Sequence, residues 1–161
     1  MTKTLATTSE SSTGTASLGA VRFSAMNLLA RREHSAQELY QKLQKRFPRD
    51  LSLITEAIKQ LQSENLQSDE RFAEAFVASR VRRGQGPNRI GMELRQRGVE
   101  KSVIAMNLEA FDPSEWVALA KDVCARKYGE NATQDRKQQA KQYRFLQYRG
   151  FSADHIRKAL S

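Results

Sequence analysis

The stretch DERFAEAFVASRVRRGQGPNRIGMELRQRGV, residues 69–99, decides how the chain folds. Phe72, Ala73, Phe76, Val77 and Val81 recur at helical spacing, which predicts a helix with one buried side. Phe72 and Phe76 are expected in its core. The segment then turns basic at Arg80, Arg82 and Arg83 before a break at Gly84, Gly86 and Pro87. Proline suits the first turn of a new helix, where its missing N–H would have no partner anyway. That second helix carries Ile90 and Leu94 one turn apart and ends at Arg97-Gly98-Val99. A glycine in the left-handed conformation followed by an apolar residue is a Schellman stop. Between Arg80 and Arg97 six arginines face one acid, Glu93, so a buried face and a cationic face share one unit.

Working outward, the same grammar returns. Upstream, Ser35 and Glu38 have capping-box spacing, Leu39, Tyr40, Leu43 and Phe47 form an apolar stripe, and Pro48 ends it. A preceding helix carries Val21, Met26, Leu28 and Leu29. A following one, with Asp50 as its expected cap, carries Ile54, Ala57, Ile58 and Leu61. Downstream lies a short helix with Val103, Ile104 and Leu108. Asp112-Pro113-Ser114-Glu115 then starts another, with Trp116, Leu119, Ala120, Val123 and Cys124 on or near one face. A basic helix with Ala140, Tyr143, Phe145 and Leu146 ends at Arg149-Gly150-Phe151, and Ser152 caps a last helix with Ile156 and Leu160.

Leu43, Leu94 and Leu146 lie about fifty residues apart, each on the middle helix of a set of three. Gly98-Val99 and Gly150-Phe151 match, whereas the first unit has Phe47-Pro48 at that place. Such a period predicts stacked helical units. The expected fold is all-α: three tandem three-helix repeats in an elongated, curved array. The expected boundaries are 21–66, 67–111 and 112–161, after a Ser/Thr-rich disordered tail over 1–20.

These motifs, in this order, resemble the RecX regulatory family. The resemblance rests on Asp69-x-x-Phe72-Ala73-x-x-Phe76 and on Gly86-x-x-Arg89-Ile90-x-x-x-Leu94-x-x-x-Gly98-Val99. Two flanking pieces agree, Ser35-x-x-Glu38-Leu39-x-x-x-Leu43 and Phe145-Leu146-x-x-Arg149-Gly150-Phe151. It implies a bent rod of three helical repeats and a non-enzymatic modulator of the RecA recombinase. Such a modulator binds the RecA–DNA filament and limits its growth, ATP hydrolysis, strand exchange and stimulation of SOS repressor self-cleavage. The implied partners are that filament and DNA, single-stranded first and duplex second. The family supplies no catalytic residues.

The residues themselves point the same way more coarsely. With 161 residues, 27 Lys and Arg against 18 acids and a formal charge of +9, the chain fits a polyanionic partner. Two basic groups stand out. One is Arg80, Arg82, Arg83, Arg89, Arg95 and Arg97; the other is Arg126, Lys127, Arg136, Lys137, Lys141, Arg144 and Arg149. A solvated face is the default for any single run, but two matched runs in a repeat array predict a filament- or DNA-binding groove. Tyr143 and Tyr148 alternate with Lys141, Arg144 and Arg149, a pattern that can stack on bases and hold phosphates together.

Gly84-Gln85-Gly86 lacks the spacing of a nucleotide cradle. His34 and His155 lack metal-ligand neighbours and are expected to be structural or solvent-facing, and Cys124 to be a small core residue. No cofactor, metal, small-molecule substrate, membrane partner or catalysis is expected, and one cysteine with no secretory signal fits the cytoplasm. The rival class is a helix–turn–helix transcriptional regulator that would lay residues 88–97 in a major groove, with Arg89, Glu93 and Gln96 reading bases.

Overall fold

A computed structural model describes residues 15–161, which form nine helices and no strand. The first triplet is α1 (Leu18–Arg31), α2 (Ala36–Arg46) and α3 (Leu51–Ser63). The second is α4 (Asp69–Arg82), α5 (Pro87–Gln96) and α6 (Lys101–Glu109), and the third α7 (Pro113–Tyr128), α8 (Arg136–Tyr148) and α9 (Ala153–Leu160). Close helix packing falls within each triplet, so the chain is a file of three all-α units.

Local chemistry sets the helix ends. Ser35 and Asp112 each close a capping box, with Glu38 and Glu115 returning to the cap N–H. At the far ends of α5 and α8, Gly98 (φ +79°) and Gly150 (φ +100°) take the left-handed conformation that glycine adopts without strain. Val99 N donates to Leu94 O at 3.2 Å, and Phe151 N to Leu146 O at 3.1 Å, which are Schellman closures.

Two expected starts are corrected. α1 begins at Leu18, inside the stretch expected to be a tail, because Ser17 Oγ accepts Ala20 N at 3.1 Å and Ala16 and Leu18 pack on the first core. The remainder of that expected tail, residues 1–14, lies outside the described residues. Asp50 makes no side-chain cap on α3; its carboxylate instead accepts Ala16 N at 3.3 Å, fastening the segment ahead of α1.

The apolar interior is in two parts. Val21, Ala25, Leu39, Leu43, Ile54, Ala57, Ile58 and Leu61 close the first repeat on itself. The second and third repeats share one continuous core that runs from Phe72, Ile90 and Leu94 to Trp116, Leu146, Phe151 and Ile156. Cys124 is buried within it, and that burial pushes its thiol pKa up.

The middle helices meet end to end. The N-terminus of α5 receives the C-terminal turn of α8: Gly86 N donates to Arg149 O at 2.8 Å and Asn88 N to Gly150 O at 2.9 Å. Unpaired N–H groups at one helix start thereby satisfy carbonyls left free at another helix end. The N-terminus of α2 receives α5 through side chains, with Ser35 Oγ donating to Arg97 O and Gln37 Nε2 to Gln96 O, both at 2.8 Å.

Candidate interaction surface

Along the first and second repeats, two carboxylates serve four guanidiniums, and the Glu38–Arg97 pair crosses between them. Arg32 Nη1 donates to Glu38 Oε2 at 3.1 Å, and Arg97 Nε lies 3.4 Å from Glu38 Oε1. Arg80 Nε and Arg89 Nε donate to the two oxygens of Glu93 at 2.9 and 3.2 Å. Arg80 and Arg97 also stand 4.4 and 4.8 Å from the ring centre of Phe76, within cation–π range. Phe76, expected in the core, is half-buried. It sits at the edge of that core and lines a cleft of about 450 Å³ with Arg32, Arg80, Arg83 and Arg97.

The same pattern continues into the third repeat. Arg89 lies 5.2 Å from the ring centre of Tyr148, which is 73% exposed. Arg149 Nη2 donates to Arg83 O at 2.8 Å while its guanidinium lies 5.8 Å from the Phe145 ring centre, and Lys127 Nζ lies 4.2 Å from that same ring. One linked set thus runs from Arg32 through Glu38, Arg97, Phe76, Arg80, Glu93 and Arg89 to Tyr148, and a second joins Arg83, Arg149, Phe145 and Lys127, so that together they reach all three repeats.

The structure sorts the thirteen basic residues singled out above by what each side chain meets. Arg80, Arg89, Arg97 and Arg149 hold the joints, paired or half-buried. Arg82, Arg83, Arg95, Arg136, Lys137, Lys141 and Arg144 are exposed and make no ion pair among the described residues. Arg126 is exposed but tied to Asp122 at 2.8 Å, one turn back on α7. Lys127 covers the Phe145 ring. Sequence reasoning did not single out Arg32, Arg157 or the ring of Phe76 as surface groups. Arg80 one helical turn after Phe76 is a local signal for the last; Arg32 has none, because its partner is fixed by the capping box of α2.

His34 lies behind this joint, 2% exposed. Lys42 Nζ is 3.2 Å from its Nε2, and an ammonium can only donate, so Nε2 is the acceptor. Nδ1 therefore carries the proton and donates to Arg32 O at 3.0 Å. Burial first, and then the neighbouring Arg32 and Lys42 cations, hold its pKa below the ordinary 6.5, against a raising backbone hydrogen bond. Among the described residues no helix is long and apolar enough to cross a membrane, and no three His, Cys, Asp or Glu side chains are grouped as a metal site would need.

Models of the first, second and third three-helix domains of RecX match residues 22–61, 68–106 and 114–160. Regulatory protein RecX of Halorhodospira halophila is 48% identical over 140 residues, covering 87% of this chain and 86% of that protein. Regulatory protein RecX of Pseudomonas tolaasii is 44% identical over 144 residues, covering 89% and 92%. The crystal structure of RecX from Lactobacillus salivarius shares the fold with a TM-score of 0.76 at 22% identity, over 89% of this chain and 94% of that one.

Proposed function

This chain belongs to the RecX family of regulatory proteins, and we propose that it acts without catalysis, in the cytoplasm, by binding the RecA recombinase filament on DNA. On this proposal it limits filament growth, and with it ATP hydrolysis, strand exchange and SOS repressor self-cleavage. The observation that carries the proposal is the two linked sets of cations, aromatic rings and shared carboxylates, one from Arg32 to Tyr148 and one from Arg83 to Lys127. Guanidiniums held on rings and shared carboxylates are preorganised, so little side-chain freedom is lost when a partner carboxylate or phosphate arrives. Together the two sets reach every repeat, which fits an extended polymeric partner better than a compact one.

The helix–turn–helix alternative meets an obstacle in the packing. A recognition helix presents its N-terminal residues to base edges. Here the N-terminus of α5 is bonded to the end of α8, and Arg89 and Glu93 are engaged with each other.

The test is co-sedimentation with RecA filaments on single-stranded DNA, with RecA alone and DNA alone as controls, followed by RecA ATPase. The exposed Arg82, Arg83 and Arg95, changed together to Glu, are expected to weaken filament binding at least tenfold while leaving helicity and melting unchanged, since exposed charges contribute little stability. Wild-type protein that neither co-sediments nor alters ATP hydrolysis would overturn the proposal.

A further inference from the structure

The helix α8 is built unlike the other middle helices. It has thirteen residues, yet Leu146 is its one buried side chain, and its sequence RKQQAKQYRFLQY contains no acid. Its end serves the core and the joint with α5 through Phe145, Leu146 and Arg149, while Arg136, Lys137, Lys141 and Arg144 are left exposed. Between it and α9 runs a groove of about 560 Å³ whose floor is Ala140, the half-buried Tyr143 and Leu160. Its rim is Arg136, Arg144 and Arg157. Among the described residues neither Arg136 nor Arg144 makes an ion pair. Arg157 reaches Asp154 only at 3.8 Å, and Lys158 holds that carboxylate more closely, at 3.0 Å.

An apolar lining with an aromatic ring, accompanied by three guanidiniums, matches a nucleobase joined to phosphates. Bases stack on aromatic faces whatever their sequence, and guanidinium forks fit phosphate oxygens. Duplex DNA keeps its bases stacked inside and offers no face to this floor. We infer that the α8–α9 groove binds single-stranded nucleic acid, one unpaired base lying on Tyr143 and the flanking phosphates meeting Arg136, Arg144 and Arg157. This deepens the filament proposal by assigning the nucleic-acid contact to one end of the molecule, and it rests on that proposal only for its place in the filament. Lys137 and Lys141 on the same helix extend the cationic track.

The test uses the full chain without RecA, and measures binding of fluorescent oligo(dT), of an abasic oligonucleotide of equal length, and of duplex. Oligo(dT) is expected to bind at least tenfold more tightly than the abasic strand, because base–aromatic stacking is what the latter lacks. Changing Arg136, Arg144 and Arg157 together to Gln should flatten the log–log salt slope by about 2, at about 0.7 for each phosphate left without its arginine. A control that neutralises the exposed Lys45, Lys59 and Lys101 removes the same charge and should leave the slope nearly unchanged. Ala140→Glu puts a carboxylate on the floor at an exposed helical position, and should abolish oligo(dT) binding without unfolding the chain. Tyr143→Phe should keep it. Equal affinity for the abasic strand, an unchanged salt slope in the triple variant, or an equal loss in the charge control would each overturn the inference. Any of these results leaves filament binding by wild-type protein untouched, so the two proposals fail separately.

Discussion

The two joints between repeats do the same job with opposite chemistry. Where α8 meets α5, backbone meets backbone, and a continuous apolar core lies beneath. Where α5 meets α2, side chains mediate, and the cores on either side are separate. The difference begins at one position, the residue that caps the middle helix. Ser35 caps its own helix, and its N–H is taken by Glu38 at 3.3 Å, so only its hydroxyl is left to reach Arg97 O. Gly86 has no side chain to cap with, so its N–H is free for Arg149 O. Three residues on, Glu38 accepts from Arg97, whereas Arg89 occupies the matching place in α5 and turns to Glu93 and Tyr148 instead. The capping residue thus goes with the kind of joint: backbone bonds over a shared core at Gly86, side-chain bonds between separate cores at Ser35.

The strongest way to break this contrast is to place a methyl group in each joint. A Cβ at Gly86 would stand 2.5 Å from the carbonyl oxygen and carbon of Gly150 and from Phe151 N, none of which can rotate away. Gly86→Ala should therefore cost about 3 kcal/mol, the upper end of overpacking, and release the third repeat first. Gly98→Ala meets Gln37, whose amide can swing aside at the loss of its bond to Gln96 O but whose Cβ, 2.9 Å away, must yield by a few tenths of an ångström. Its cost should be about 2 kcal/mol, most of it from the left-handed backbone at φ +79° and the rest from the displaced Gln37. Urea midpoints at unchanged m-value measure both. Equal losses would mean the joints do not differ as described.

A smaller effect is expected from Ser35→Ala. It removes the acceptor for Glu38 N and the donor to Arg97 O, and should cost about 1 kcal/mol, the usual worth of a helix cap. Amide exchange should show the loosening at the start of α2 and the end of α5, with the third repeat unchanged.

The mildest perturbation is pH. The folded His34 has a lowered pKa, so above about 6.5 it is neutral in both folded and unfolded chains and contributes no pH dependence. As pH falls below that value the unfolded chain takes up the proton first, and stability declines. Burial lowers His155 in the third repeat as well, with the same sign. Melting followed from about pH 7.5 to about 5.5, the range that brackets an ordinary histidine, should show this decline. His34→Gln should remove the share that loosens the α2–α5 joint, and His155→Gln should leave that share in place.

The helices and their glycine stops were legible because both are local: periodicity names the buried face, and Arg-Gly-apolar names the turn that ends it. The division of the core was not, since nothing near Ser35 reports a carbonyl 62 residues away. The same blindness affected the charges. Six arginines around one acid read as a bare cationic face, whereas Glu93 holds two of them and Glu38, from the neighbouring repeat, holds another. Phe76 lay on the apolar stripe by spacing alone, and only packing shows that it sits where the core gives way to the cleft. The basic character of α8 was plain from sequence; its groove needed Arg157 and Leu160 from α9.

The end-to-end file of α8, α5 and α2 also has an electrical meaning. Each helix carries roughly half a positive charge at its N-terminus and half a negative charge at its C-terminus, felt within about one turn. At each joint a positive end abuts a negative one, and the two largely cancel. What remains uncancelled is the N-terminus of α8, where Asp135 stands, and the C-terminus of α2, where Lys45 and Arg46 stand. Three short helices thus behave as one long dipole, with a compensating side-chain charge at each pole.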